Sequence, residues 1–318
     1  MMSKIVFGGA PLGLIDMGNV DLKEVMAAAA EAFDSGITTF DCADVYGLGE
    51  GEKNLARALG HRLNDAHIIS KFGVAWKNSA GTSRAETYRD CSPSYMRKAL
   101  DASLTRLRRD YIDTYLVHWP DGKTPIEDIL DALESVRKQG KIINFGLSNF
   151  NSSEIVRVNR THEFQCPWFQ AECNILMPDS EIRDLELIRN TGTKVMAYGP
   201  LAQGFLTGKY VTEPKFPSSD RRSRMKHFSQ QYIGANRRLI LMMDAAAKKA
   251  GVSIREAAIA WCFGTNVIDV VVIGMKTRAH VRDSQGILDM SLNSDLISEL
   301  RTIRENDLTP INRSVPTH

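Results

Sequence analysis

The sequence predicts an α/β protein with a closed (β/α)8 barrel, and three observations support this fold class. Strand-like apolar runs alternate with segments of helical period along almost the whole chain. The eight runs are evenly spaced, and the segments between them are long enough to connect parallel strands. The glycine fingerprint of an open dinucleotide-binding sheet is missing after the first strand. A barrel is therefore favoured over an open sheet.

The predicted strands are short runs of β-branched and aromatic residues bounded by turn formers. They are Ile5–Phe7, Ile37–Phe40, His67–Lys71, Ile112–His118, Ile143–Leu147, Trp168–Gln170, Val195–Tyr198 and Val270–Ile273. The predicted helices include Leu22–Ser35, Glu52–Leu59, Pro93–Leu107, Pro125–Gln139, Ser153–Asn159, Ser180–Asn190, Asn236–Lys249 and Ile254–Phe263. Ser92 before Pro93 is typical of a helix start, and Gly140 after two basic residues is typical of a helix end.

No linker rich in proline, glycine and serine divides the chain, so residues 1–318 are interpreted as one barrel domain. The segment Leu201–Tyr232 carries prolines, serines and clustered arginines, and it is predicted to be a mobile surface loop. A second long loop is predicted from Gly73 to Ser92.

Composition excludes several classes of protein. The 40 basic and 38 acidic residues are scattered and give a formal charge of +2, which argues against a nucleic-acid partner. Five cysteines without a C-x-x-C pair or metal-ligand spacing argue against a disulfide framework and a zinc site, and favour a reducing cytoplasm. No stretch is long and apolar enough to predict a signal peptide or a membrane span. We expect a cytoplasmic protein acting on a small molecule.

Four polar residues follow successive predicted strands, where barrels keep their active sites. Asp41 ends the second strand, Tyr46 lies in the loop after it, Lys71 ends the third strand and His118 ends the fourth. A lysine at the end of an apolar strand needs a carboxylate, and Asp41 is its natural partner. Because positive charge favours phenolate, Lys71 is expected to lower the pKa of Tyr46 and make it a proton donor. Each residue alone could be structural; the four together indicate a site.

Six blocks in order resemble the aldo-keto reductase superfamily over nearly the whole chain. They are FDCADVYGLGEGEKNLARAL, HIISKFG, DYIDTYLVHWPD, GKIINFGLSNF, PWFQAECNIL and VMAYGPLAQGFLTGKY. The resemblance implies NADPH-dependent reduction of an aldehyde or ketone, possibly sugar-like, or the reverse alcohol oxidation. It also implies Tyr46 as general acid, Lys71 and Asp41 as its supports, and His118 as the residue that orients the substrate carbonyl. Asp44 is expected to cap the loop.

The resemblance further implies a coenzyme site for NADPH/NADP+ rather than NADH. Residues matching the nicotinamide site are Ser148, Asn149, Gln170 and Tyr198, and those matching the cover of the pyrophosphate are Pro200, Leu201 and Gly204. Residues matching the adenosine phosphate site are Gly274, Lys276, Thr277 and Arg278, with His280 and Ser284 standing where other residues are usual. Ser148 and Asn149 could instead be a helix N-cap. Arg282 could add to the phosphate site or be a surface charge.

Substrate residues are the least readable part of the sequence. Trp76, Tyr88 and Trp119 follow the third and fourth strands and could line a pocket for a flat or sugar-like carbonyl compound. The arginines at 221, 222 and 224 are either solvated or meet a phosphorylated or nucleotide-linked substrate. Two other classes stay open: a regulatory subunit that binds NADPH and a partner protein with slow turnover, and a barrel enzyme with metal or phosphate chemistry, for which ligands are lacking.

Overall fold

The computed structural model describes residues 2–77, 85–163, 165–210, 214–288 and 293–308. Its centre is a closed barrel of eight parallel strands, which confirms the predicted fold class. The strands, including a two-stranded insertion, are β1 (Ile5–Gly8), β2 (Thr39–Asp41), β3 (His67–Phe72), β4 (Val74–Trp76), β5 (Thr87–Arg89), β6 (Ile112–Val117), β7 (Ile142–Ser148), β8 (Trp168–Glu172), β9 (Lys194–Tyr198) and β10 (Val270–Gly274). All eight predicted strands are present, with small shifts at their ends.

Around the barrel, the strands lie in the order β1, β10, β9, β8, β7, β6, β3, β2. The first and last strands close it, with Ile5 in register with Val271 and Gly8 with Gly274. Since all eight strands run in the same direction, their carboxyl ends meet at one mouth.

Helices cover the outside of the barrel. They are α1 (Leu22–Asp34), α2 (Glu50–Leu59), α3 (Pro93–Leu107), α4 (Ile126–Lys138), α5 (Ser152–Thr161), α6 (Asp179–Arg189), α7 (Gln230–Lys249), α8 (Ile254–Gly264), α9 (Arg278–Leu288) and α10 (Ser294–Asp307). The predicted start of α3 is present, since the Ser92 hydroxyl accepts a hydrogen bond from the amide of Tyr95. The last helix, α10, was not among the predicted ones.

The segment predicted as a mobile loop, Leu201–Tyr232, is more regular than expected. It contains three 3-10 turns, Ala202–Thr207, Arg221–Arg224 and Lys226–Phe228. Helix α7 begins at Gln230, six positions before the predicted Asn236, because the Ser229 hydroxyl caps it by accepting from the amide of Tyr232. The prediction placed the start too late since polar and aromatic residues fill this first turn.

The second predicted loop, Gly73–Ser92, contains the antiparallel pair β4 and β5. Val74 is in register with Arg89 and Trp76 with Thr87, so these four side chains share one face of the pair. Residues 78–84 of this loop lie outside the described residues.

Apolar side chains pack on both sides of the barrel strands, in two layers. One lies between the strands and the helices, and a smaller one fills the barrel interior with Val6, Ile69, Leu116, Trp168, Met196, Val270 and Val272. Ile69 and Lys71 point to the same side of β3 because strand side chains alternate. The interior layer therefore forms an apolar floor below the polar mouth. Within the described ranges, no helix has the length and apolar character needed to cross a membrane.

Candidate active site

The four polar residues predicted from the strand ends come together at the mouth of the barrel. The Lys71 Nζ donates to Asp41 Oδ1 at 2.6 Å and to the carbonyl of Cys42 at 2.8 Å. It lies 5.3 Å from the centre of the Tyr46 ring. The rings of Tyr46 and His118 meet edge to face, with centres 5.8 Å apart. The predicted Asp41–Lys71 pair is thus present, and phenol, imidazole and ammonium form one group.

Lys71 is protonated in this site. Its side chain is 1% exposed, and burial alone would lower the pKa of the ammonium group. The charge of Asp41 and the hydrogen bond to it outweigh burial, and the pKa is raised above the usual lysine value. The site therefore carries a fixed positive charge next to Tyr46.

The pKa of Tyr46 differs from the expectation. Burial raises the pKa of the phenol above its ordinary value, and the charge of Asp41 acts in the same direction. Lys71 does lower it, as predicted, but this is the smaller effect. The sequence reasoning considered the neighbouring cation and left out the loss of water around the ring. Tyr46 is consequently a protonated phenol at neutral pH.

His118 is a neutral imidazole. Burial and the nearby charge of Lys71 lower its pKa well below the usual histidine value. Its amide donates to the carbonyl of Phe72 at 2.7 Å, which fixes the end of β6 against β3. Among the described residues, the buried Nδ1 atom has no hydrogen-bond partner. His118 can therefore offer a hydrogen bond without delivering a full charge.

The glycines around Tyr46 allow close contact between backbones. A Cβ at Gly13 would lie 2.6 Å from the amide nitrogen of Gly47 and 2.7 Å from the carbonyl carbon of Tyr46. A Cβ at Gly51 would lie 2.9 Å from the Cβ of Tyr46, and the Gly51 amide donates to the Tyr46 carbonyl at 2.8 Å. Side chains at these positions would displace Tyr46. The glycine-rich stretch after β2 thus holds the tyrosine in place by tight packing.

A buried group of acids behind the loop was not predicted. Glu52 is fully buried and accepts from Ser70 Oγ and from Arg106 Nε, each at 2.5 Å. Asp44 is 1% exposed, and neither of its carboxyl oxygens has a hydrogen-bond partner within the described part of the chain. Burial and the Glu52 charge raise the pKa of Asp44 well above its usual range. The expected capping role of Asp44 is therefore wrong: it is a buried, neutral acid.

Two residues matching the nicotinamide site are hydrogen-bonded to two of the four polar residues, Asp41 and His118. The Gln170 amide nitrogen donates to Asp41 Oδ2 at 2.7 Å. The Asn149 side chain donates to the carbonyl of His118 at 2.9 Å and accepts from the Tyr198 hydroxyl at 2.8 Å. Gln170 thus links β8 to β2 across the mouth, and Asn149 links the loop after β7 to His118 and to Tyr198 on β9.

The alternative interpretation of Ser148 and Asn149 as a helix cap is not what the structure shows. The cap of α5 is Asn151, whose side chain accepts from the amide of Ser153. Asn149 has a left-handed backbone (φ 62°) and Ser148 is fully buried at the end of β7. Their position at the mouth is therefore not explained by helix capping.

The segment expected to cover the pyrophosphate follows β9. Pro200 and Leu201 lead into three left-handed residues, Ala202, Gln203 and Gly204, with φ of 44°, 53° and 97°. This backbone is strained for residues with side chains, and it turns the segment sharply at the mouth.

The predicted phosphate residues occupy the start of α9. The Thr277 hydroxyl accepts from the amide of His280, and the Lys276 amide donates to His280 Nδ1. Ser284 is fully buried and donates to the carbonyl of His280, so its hydroxyl is used inside the helix. Gly274 is exposed, and a Cβ there would meet no atom within 4 Å. The strand end before α9 is thus open to a ligand.

The cations of this region differ in their partners. Arg278 pairs with Glu24 at 3.2 Å, and Arg282 pairs with Glu31 at 2.9 Å. Burial and neighbouring cations lower the pKa of Lys276, whose Nζ donates to the carbonyl of Met17. Lys276 therefore lies among other cations and makes no ion pair with a described residue.

Of the three clustered arginines, two form ion pairs with acids and one does not, among the described residues. Arg222 pairs with the buried Asp220 at 2.6 Å, and Arg224 pairs with Asp16 at 3.2 Å. Arg221 is exposed, and its guanidinium makes no hydrogen bond or ion pair with a described residue. Its charge lowers the pKa values of both Tyr46 and Lys276.

The aromatic residues proposed for the substrate do not all face one pocket. Trp119 follows His118, and the guanidinium of Arg89 lies 5.0 Å from the centre of its ring. Trp76 is on the same face of the β4–β5 pair as Arg89, whereas Tyr88 is on the other face, opposite Ala75. The structure thus separates Tyr88 from Trp76. No group of three or more histidine, cysteine or acidic side chains suited to a metal occurs among the described residues.

Comparison with known sequences agrees with this geometry. The model of the Aldo/keto reductase family matches residues 4–305. The aldo-keto reductase YhdN of Bacillus subtilis is 27% identical over 313 residues, covering 96% of this chain and 91% of its own. The aldo-keto reductase yakc [NADP(+)] of Schizosaccharomyces pombe is 28% identical and covers 88% of this chain and 82% of its own.

Comparison with solved structures gives the same result. The glycerol dehydrogenase AKR11B4 from Gluconobacter oxydans superposes with a TM-score of 0.86 at 28% identity, covering 99% of this chain and 95% of that one. The aldo-keto reductase AKR11C1 from Bacillus halodurans, at 22% identity and a TM-score of 0.74, has the same fold and covers 95% of this chain and 92% of its own. The chain belongs to the aldo-keto reductase family of NAD(P)H-dependent oxidoreductases that act on carbonyl and alcohol groups.

Proposed function

We propose that this protein reduces an aldehyde or ketone to an alcohol with NADPH, and that Tyr46 is the proton donor. The observation that carries the proposal is the convergence of a protonated phenol, a neutral imidazole and a buried ammonium at one mouth. The positioning of these groups by packing and hydrogen bonds is what general acid catalysis requires.

Several features of the mouth fit a bound nicotinamide coenzyme. The open strand end at Gly274, the side chain of Lys276 and the exposed guanidinium of Arg221 suit a chain of phosphates. Asn149 and Tyr198, next to His118, would hold the nicotinamide end. The coenzyme would supply the hydride, and the protein orients the reacting groups.

The raised pKa of Tyr46 and the lowered pKa of His118 suit these two side chains to different roles. Tyr46 keeps its proton at neutral pH and delivers it to the carbonyl oxygen as negative charge develops there. His118, being neutral, donates a hydrogen bond to the same oxygen and orients it. Asp41, which also accepts from the Gln170 amide, holds Lys71, whose charge eases the loss of the phenol proton.

The preference for NADPH over NADH rests on the cations at the start of α9. Lys276 and Arg278 lie there, and a relative is named as an NADP(+) enzyme. Arg278 is shared with Glu24, so it must leave or share that acid to meet an adenosine phosphate. Lys276 is the stronger candidate, and Lys276→Met should weaken NADPH binding far more than NADH binding.

The test combines binding and turnover. Fluorescence titration should show tighter binding of NADPH than of NADH, and purified protein alone should oxidise NADPH with members of a panel of aldehydes, ketones and keto-sugars. Small polyols belong in the reverse panel, because a structural relative is named a glycerol dehydrogenase. Tyr46→Phe should bind NADPH normally and lose at least about two orders of magnitude in kcat. Normal turnover by Tyr46→Phe would refute the role of Tyr46.

A further inference from the structure

Arg89 occupies an unusual position beside the mouth. It lies on β5, with its guanidinium carbon 5.0 Å from the centre of the Trp119 ring and its Nη1 3.4 Å from the carbonyl of Pro120. Trp119 directly follows His118 in the chain. Arg89 therefore contacts the residue that follows His118 of the proposed active site.

No acid in the described part of the chain forms an ion pair with Arg89. Residues 78–84 of the same loop contain no acidic residue. Asp121, two positions after Trp119, uses both oxygens to accept from the amides of Cys91, Lys123 and Thr124 and from the Thr124 hydroxyl. The acid closest in sequence to Trp119 is thus already saturated with donors.

The face of the β4–β5 pair adds a second aromatic residue. Arg89 is in register with Val74, and Trp76 lies two positions further along the same face. Stacking on an indole fixes the plane of a guanidinium and leaves its N–H edge available for a bidentate contact. A carboxylate or a phosphate matches that edge.

We propose that Arg89, held over Trp119, forms a subsite for an anionic group on the carbonyl substrate, either a carboxylate or a phosphate ester. This inference rests on the proposed carbonyl reductase function and names the class of substrate for it. The carbonyl would meet Tyr46 and His118, and the anion would meet Arg89. Arg221, whose charge acts on both Tyr46 and Lys276, is assigned to the coenzyme side.

The test uses matched pairs of substrates that differ only in the anionic group. These are butanal with 4-oxobutanoate, and glyceraldehyde with glyceraldehyde 3-phosphate. The kcat/KM values for NADPH oxidation are compared in the wild type, Arg89→Ala, Arg89→Lys and the control Arg97→Ala. Arg97 is an exposed residue of α3 that likewise donates to a proline carbonyl, that of Pro93.

In the wild type we expect at least one anionic member to have the higher kcat/KM of its pair. Arg89→Ala should lower the value for that member by about tenfold or more, since a hydrogen bond to a charged group is lost, and should change the neutral member by less than about twofold. Arg89→Lys should keep part of the preference, and Arg97→Ala all of it. The pair that responds distinguishes carboxylate from phosphate.

Two results would overturn the subsite. One is a wild type without preference for either anionic member; the other is an equal loss for both members of a pair in Arg89→Ala, which would make Arg89 a structural clamp between β5 and the loop after β6. A wild type that oxidises NADPH with none of these carbonyls, nor with the wider panel, would instead contradict the proposed function.

Discussion

Replacing Lys71 by methionine tests the central ion pair most directly. The Lys71 and Asp41 side chains are 1% and 4% exposed, so water cannot replace the ammonium group once it is removed. Asp41 would keep one donor, the Gln170 amide at 2.7 Å, and lose the Lys71 donor at 2.6 Å. Leaving a buried charge without its partner costs about 3–5 kcal/mol. Lys71→Met should lower the free energy of unfolding by that amount.

The assay is urea unfolding followed by fluorescence, with Asp41→Asn and the double variant as companions. In the double variant, Asp41→Asn removes a carboxylate charge that Lys71→Met has already left without its ammonium partner. The double variant should therefore be less destabilised than the sum of the two single variants by at least about 1 kcal/mol. Strictly additive effects, or a cost below about 1 kcal/mol for Lys71→Met, would refute the reasoning.

The same substitution has a kinetic consequence. Lys71 opposes the burial that raises the pKa of Tyr46, so removing it raises this pKa further. Alcohol oxidation needs the phenolate as base, and its pH profile should move to higher pH in Lys71→Met. An unchanged profile in a folded variant would show that Lys71 does not act on Tyr46.

Three further substitutions test the supports of the site. Arg106→Gln leaves the fully buried Glu52 without its cation and should cost about 3–5 kcal/mol in urea unfolding, while a change below about 1 kcal/mol would contradict the pairing. Asp44 is neutral in the folded chain but ionises in the unfolded chain above about pH 4, so it destabilises the fold increasingly as pH rises from there. The stability advantage of Asp44→Asn should therefore grow with pH, and a constant difference between pH 5 and 8 would argue against a neutral Asp44. Gly13→Ala places a Cβ 2.6 Å from the Gly47 amide nitrogen. It should lower kcat more than NADPH affinity and lower the free energy of unfolding by about 1–3 kcal/mol. An unchanged kcat would mean that the backbone shifts to fit the Cβ without displacing Tyr46.

The barrel and the meeting of its strand ends could be predicted because both follow from period and alternation. Lys71 had to face the interior since it shares a face with the apolar Ile69, and Asp41 was the acid available at the neighbouring strand end. The pairing of Lys71 with Asp41 could therefore be predicted from the sequence alone.

Quantities that depend on burial could not be predicted in this way. The direction of the Tyr46 pKa depends on how completely the ring is enclosed, and the neutral state of Asp44 depends on its distance from Glu52. The separation of Trp76 from Tyr88 depends on the register of β4 with β5, and no turn motif in the sequence specifies it. Glu52, six positions after Tyr46, was the available clue to the buried acids.

The closure of the barrel by its first and last strands determines when the protein can become active during synthesis. Asp41, Tyr46, Lys71 and His118 all leave the ribosome within the first 118 residues. Strand β1 cannot complete its pairing until β10, residues 270–274, has emerged. The half with the proposed proton donor is thus made long before the half proposed to bind the phosphates, and the incomplete barrel exposes two strand edges in the interval. Coenzyme can stabilise only the finished chain. Until then, the partly made barrel is stabilised by its own packing, without help from a bound coenzyme.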